Sequence, residues 1–97
     1  MENNYYKELE SIVDKEVEFL KVNSLKLQLA RKIAPKKYNV LLKKIVYTEG
    51  VIRQSLQLGN LKKAYMYVLV LKKLMKQLAD SMPDIDRRIT QKFEKIK

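Results

Sequence analysis

Pairs of adjacent lysines are the side chains in this sequence with the clearest capacity for chemistry, because ammonium groups bind phosphates. In the doublets Lys36-Lys37 and Lys43-Lys44, the first lysines are one heptad apart, and so are the second ones. On a helix this spacing predicts a basic ridge on the side away from Tyr38. The residues that we expect to contact a polyanion such as nucleic acid are Lys36, Lys37, Lys43, Lys44, Tyr47, Lys62, Lys73 and Lys76.

The distribution of charge favours this hypothesis. The formal net charge is +10, and residues 21–76 hold fourteen basic residues against the single acid Glu49. Tyr47 is expected on the same outer side as Lys36 and Lys43, where its ring can stack on a base. A simpler interpretation is that the lysines only make exposed helix faces soluble, since specific phosphate or base recognition favours arginine. No known nucleic-acid-binding motif is present in the sequence.

The residue types that most often perform catalysis are missing. The sequence contains no histidine and no cysteine, which removes the commonest general base, the commonest zinc ligand and any thiolate. We therefore expect a protein that is not an enzyme and that has no metal, no cofactor and no small-molecule substrate. Acids cluster only near the two ends, at spacings that usually give a solvated helix face: Glu8, Asp14 and Glu18, and Asp84, Asp86 and Glu94.

Hydrophobic periodicity predicts an all-α fold, a small antiparallel bundle of three or four helices forming a single domain over residues 1–97. The first helix is expected over about 3–33, either continuous or broken near 23–24, where Ser24 can cap a second piece. The others are expected over 36–58, 61–82 and 84–96. Pro35, Gly59-Asn60 and Pro83 mark the boundaries, and Asp84 or Ser81 is expected to cap the last helix.

The third predicted helix is apolar nearly all the way round between Ala64 and Leu71. Such a helix is either the centre of the bundle or buries a second face against another molecule. Tyr65 is assigned to the core, whereas Tyr67, Val70 and Leu74 are candidate protein-interface residues. The alternative function is therefore a protein-interaction or self-assembling module that meets an acidic protein surface or a second copy of the chain.

The turn before this helix resembles those in the helical hairpins of tetratricopeptide repeats and MIT domains, since Gly59-Asn60 and Ala64 match small positions of that pattern. Val68 and Leu71 stand where an aromatic and a small residue would be expected, and no second copy of the unit follows. The resemblance thus implies one helical hairpin. In size and charge the chain is also similar to bacteriocin-immunity proteins and to small phage or plasmid accessory proteins, and the interaction module could equally be an adaptor.

The start of the sequence is acidic and polar, unlike an export signal, which needs a basic start and an apolar run. The longest apolar run, Ala64 to Leu71, is shorter than the roughly 20 residues that span a bilayer. These features predict a cytoplasmic protein with no transmembrane segment.

Overall fold

The computed structural model describes residues 2–95 and confirms the all-α prediction. Its four helices are α1 (Glu2–Val22), α2 (Ser24–Ile33), α3 (Pro35–Gln57) and α4 (Leu61–Glu94). The predicted end of the last helix at 96 lies outside the described residues. The helices pack against one another in an elongated bundle that measures 58 × 21 × 18 Å.

Three columns of helix make up the bundle. Helix α3 runs antiparallel to α4, since the two meet at the turn Leu58–Asn60 and again where Tyr38 contacts Asp84. Helix α1 runs in the same direction as α4: Tyr5 shares a cleft with Tyr65, and residues 16 and 19 share another with residues 72–79. Helix α2 continues the column of α1, and Lys26 near its start pairs with Asp86 of α4 at 2.9 Å.

The first column breaks at Asn23, as one of the two alternatives for the first segment predicts. The backbone N–H and the side-chain amide of Asn23 both donate to the Phe19 carbonyl, at 3.1 and 2.9 Å. Asn23 rather than Ser24 occupies the cap position of α2, and its side chain makes no cap hydrogen bond. The break therefore interrupts one column of helix only locally, because the Leu27 N–H still donates to the Asn23 carbonyl at 3.0 Å.

Pro83 does not end the third long helix, so the prediction of separate helices over 61–82 and 84–96 is wrong. Proline inside a helix costs about 3 kcal/mol through a lost hydrogen bond and a clash with the preceding turn. Here residues beyond the proline offset that cost by tertiary contacts: Ile85 is fully buried and Ile89 packs against the core. Asp84 binds Tyr38 of α3 and does not act as a helix cap.

The core consists of apolar side chains at three- and four-residue spacing on each column. Two polar residues are buried with them, Thr48 and Ser55 on α3, and each hydroxyl donates to the carbonyl four residues earlier at 2.7 Å. No buried polar side-chain atom within the described part of the chain lacks a partner. The buried apolar residues are Leu9, Val13, Leu27, Ala30, Tyr38, Ile45, Ile52, Leu56, Ala64, Val68, Leu71, Met75, Leu78 and Ile85.

The turn between α3 and α4 has the cap residues that the sequence predicts. Gly59 has a φ of +73°, in the left-handed region, and Asn60 N–H donates to the Ser55 carbonyl at 2.8 Å. The Asn60 side chain accepts from the Lys63 N–H at 3.1 Å and so caps the start of α4. These hydrogen bonds stabilise the turn in which the chain reverses direction between α3 and α4.

Replacing Gly59 by alanine is expected to lower the free energy of unfolding by about 1–2 kcal/mol, because a side chain disfavours the left-handed conformation. Gly50 provides the matched control, since it lies inside α3 and a Cβ there would meet nothing within 4 Å. Gly50→Ala is expected to raise the free energy of unfolding by roughly 0.5–1 kcal/mol. Urea denaturation followed by circular dichroism measures both, and effects of the same sign would contradict the assignment of Gly59 as the cap.

Candidate binding surfaces

The lysine doublets of α3 are exposed, but they form two rows rather than one ridge. Consecutive helix residues are about 100° apart, so the two members of a doublet point in different directions. Lys36, Lys43 and the 68%-exposed Tyr47 share the row farthest from the core. Lys37 and Lys44 lie on the flank beside α4, where both line a shallow cleft with residues 77 and 81. The heptad spacing predicted one ridge, whereas the four lysines lie in two rows that point in different directions.

Lys37 contacts two side chains of the protein itself. Its ammonium lies 3.5 Å from the Asp84 carboxylate and 5.4 Å from the centre of the Tyr38 ring. The pair is solvent-exposed and weak, but it directs the Lys37 ammonium towards Asp84 of α4. Lys37 thus has less to offer an external anion than Lys36, Lys43 and Lys44, which make no ion pair with any residue in the range 2–95.

Asp84 is the centre of a hydrogen-bond network that joins α3 to α4. The Tyr38 hydroxyl donates to Asp84 Oδ2 at 2.6 Å, Arg88 Nε donates at 2.8 Å, and Arg87 binds the other oxygen. The hydrogen bonds from Tyr38, Arg88 and Arg87 hold the pKa of Asp84 well below its usual range. Burial and the neighbouring Asp84 raise the pKa of Tyr38 to about 12. A carboxylate held ionised by three donors stabilises the fold and is a poor general acid or base.

Three further acids, Glu49, Asp14 and Asp86, also pair with basic side chains of the protein. Glu49, which lies on the apolar face of α3, accepts from Arg53 at 3.0 Å, and Arg53 reaches Asp14 of α1 at 3.2 Å. Asp86 pairs with Lys26. No group of three acids, histidines or cysteines among the described residues could hold a metal ion.

The predicted lysines of α4 face different surroundings. Lys62 lines a cleft with Glu8 of α1, and Lys76 lines another with Glu16. Both therefore lie beside the acidic first helix, which weakens the positive potential around them. Lys73 lies on the outward row of α4, and the antiparallel register set by Tyr38 and Asp84 brings it roughly level with Tyr47. Among the predicted lysines of α4, Lys73 thus remains the candidate beside the α3 rows.

The apolar residues of α4 divide differently from the sequence prediction. Tyr67 and Leu74 are half-buried and pack against the core, so of the three candidate interface residues only Val70 is exposed. The assignment of Tyr65 to the core is wrong, because this side chain is 54% exposed. Ala64 holds the buried position beside it, and the neighbouring residue on a helix is turned about 100° away.

A cleft between α1 and α4 was not predicted from the sequence. It has a volume of about 470 Å³, its walls are almost entirely apolar, and Glu8 and Lys62 lie at its edge. Tyr5 and Tyr65, near the starts of the two helices, were the available signal in the sequence, but only the packing of the columns shows that they face one cleft. The cleft is lined by Tyr5, Glu8, Leu9, Ile12, Leu61, Lys62 and Tyr65.

Within residues 2–95, none of the helices combines the length and the apolar content that crossing a membrane requires. Comparisons of the chain with protein-family models, with curated proteins and with solved structures found no match.

Proposed function

We propose that this chain is a non-enzymatic binding protein that engages a polyanion such as nucleic acid through the lysines of α3. The observation that carries the proposal is the exposure of Lys36, Lys43 and Lys44 without an ion-pair partner among the described residues. We include Lys73 of α4 as a fourth charge, and the four lysines together are called the lysine face below. The chain's own acids are too few to neutralise residues 21–76, where fourteen bases meet one acid.

The mechanism follows from the chemistry of lysine. An ammonium group is a mobile point charge that contacts phosphate oxygens and displaces counterions from the nucleic acid. Tyr47, which lies in the same row as Lys36 and Lys43, offers an exposed ring on which a base can stack. Neither group reads base edges in a fixed geometry, so we expect binding with little sequence preference.

A protein-interaction module is the second candidate function, and a separate observation favours it. Tyr65, Met66, Leu69 and Val70 expose 43–58% of their surfaces on α4, where no described helix covers them. Contiguous exposed apolar residues often mark a contact with another protein. An adaptor, an immunity-type protein or a phage or plasmid accessory protein would use such a surface, and so would a self-assembling module.

Salt dependence tests the polyanion proposal. Fluorescence titrations with random duplex and single-stranded DNA are expected to show affinity falling about 10²-fold or more between 50 and 200 mM salt, since each phosphate contact adds roughly 0.7–0.9 to the logarithmic slope. Replacing Tyr47 by serine should weaken single-strand binding more than duplex binding, because only unpaired bases stack on the ring. Absence of binding at the lower salt concentration would refute the proposal.

A further inference from the structure

The exposed apolar residues of α4 form a continuous surface, called the α4 outer patch and defined by Tyr65, Met66, Leu69 and Val70. Their exposed fractions are 54%, 58%, 44% and 43%, although the same helix buries a complete core face. They occupy two successive turns of the side opposite that core face. Leaving this much apolar surface in water is unfavourable by about 25 cal/mol per Å², which a partner would recover.

The α4 outer patch continues into the cleft between α1 and α4. Tyr65 belongs to both, and Tyr5 and Ile12 of α1 line the cleft with it. A concave apolar space of about 470 Å³ can receive a large side chain, as the central pockets of protein interfaces do. The surface therefore consists of a row of exposed apolar side chains and an adjoining pocket. Such a surface can bind a helix that inserts one large side chain into the pocket.

The positive charge of α4 around the patch indicates that the partner carries acidic residues. From Leu61 to Ala79, helix α4 carries five lysines and no acid. Lys62 and Lys73 lie in one row with Met66 and Leu69, at spacings of four, three and four residues, so a lysine stands at each end of the patch. An apolar row with cations at both ends is complementary to an apolar row bordered by carboxylates.

We propose that the α4 outer patch and the adjoining cleft bind an amphipathic acidic helix of a partner protein. The partner presents apolar residues at helical spacing with Asp or Glu on its flanks, and one large apolar side chain enters the cleft. This surface is distinct from the lysine face except at Lys73, so the proposal does not depend on polyanion binding.

A second copy of the chain fits this surface poorly. Pairing two α4 outer patches would bring two sets of five lysines together, which is repulsive. The exposed middle of α1 in a second copy is acidic, with Glu10, Asp14 and Glu18. No apolar residue between these acids is exposed, so this face of α1 could not cover the patch. A flat anionic bilayer fits poorly too, since it cannot fill a concave cleft.

The probe for the test is a synthetic fluorescent peptide with leucines at heptad spacing and glutamates on both flanks. Two control peptides are a scrambled sequence of the same composition and a version with lysine in place of glutamate. Fluorescence anisotropy is expected to show binding of the amphipathic acidic peptide only. Leu69→Gln and Tyr65→Gln are each expected to weaken it about tenfold, as for central interface residues.

Leu25→Gln is the matched control variant, because Leu25 is a 69%-exposed leucine on α2, away from the patch. It is expected to bind the acidic peptide as the wild-type chain does. All three changes are at exposed positions, so circular dichroism should show unchanged helicity. In the isotope-labelled protein, peptide-induced chemical shift changes are expected at residues 61–73 and in the first turns of α1.

Four results would overturn the proposal. Equal binding of the acidic and scrambled peptides would show charge attraction alone, and unchanged binding by Leu69→Gln would place the peptide elsewhere. Dimerisation seen by light scattering and abolished by Leu69→Gln would assign the patch to a second copy. Sedimentation with phosphatidylserine vesicles, abolished in the same variant and without peptide binding, would assign it to a bilayer. Retention of DNA binding in all of these variants separates this site from the lysine face.

Discussion

Changing Lys36, Lys43, Lys44 and Lys73 together to glutamate is expected to lower the affinity for nucleic acid by at least about 10²-fold at moderate salt. Each lysine that is replaced no longer releases a counterion, so part of the favourable binding free energy is lost. Each new carboxylate also repels the phosphates. The logarithmic salt slope should fall by about 0.7–0.9 for each phosphate that the protein no longer neutralises. Helicity should not change, because all four side chains are exposed and none pairs with a described residue.

The control for this variant changes the same number of lysines outside the lysine face. Lys7, Lys15, Lys21 and Lys92 are also exposed and form no ion pair with residues 2–95. Four changes of two charge units each lower the net charge from +10 to +2 in either variant. Long-range attraction is screened beyond about 10 Å at 0.1 M salt, so the control should lose much less affinity. Equal losses in the two variants would show that net charge acts without a defined surface.

The buried faces of α1 and α3 could be predicted from the sequence because burial follows a helical period that is visible in one chain. Leu9 and Val13 on α1, and Ile45 and Ile52 on α3, lie in the core where this period places them. The caps at Gly59 and Asn60 were also predictable, since their chemistry is local. Local propensity failed at Pro83, where the packing of Ile85 and Ile89 against the core outweighs the cost of a proline inside a helix.

The binding surfaces were harder to predict because they depend on the direction in which neighbouring columns lie. Periodicity shows that Lys37 and Lys44 avoid the core, but not that α4 lies beside them and engages Lys37 through Asp84. In the apolar run of α4 from Ala64 to Leu71, the sequence leaves the position of the buried face uncertain by one residue. Tyr65, expected in the core, is exposed, and Tyr67, expected on the surface, packs against the core. The buried residues outside that run, Met75, Leu78 and Ile85, fix the phase.

Replacing Tyr38 by phenylalanine is expected to lower the free energy of unfolding at neutral pH by about 1.5–3 kcal/mol, the usual contribution of a hydrogen bond to a charged group. Asp84→Asn is expected to destabilise the protein as well, because Lys37, Arg87 and Arg88 would lose their shared carboxylate. Asp86→Asn is the matched control two residues away, since Asp86 makes one exposed pair with Lys26 and should matter little. Urea denaturation followed by circular dichroism measures all three variants.

The same network predicts how stability depends on pH. The pKa of Asp84 is lowered in the folded state, so its contribution is complete above about pH 4, the unfolded value, and is lost as the pH falls below it. The pKa of Tyr38 is raised from 10.0 to about 12, so its contribution is complete below pH 10 and is lost as the pH rises towards 12. Asp84→Asn should therefore flatten the acid side of the stability profile, and Tyr38→Phe the alkaline side. If Asp84→Asn and Asp86→Asn gave the same acid profile, Asp84 would not be the residue that ties α3 to α4.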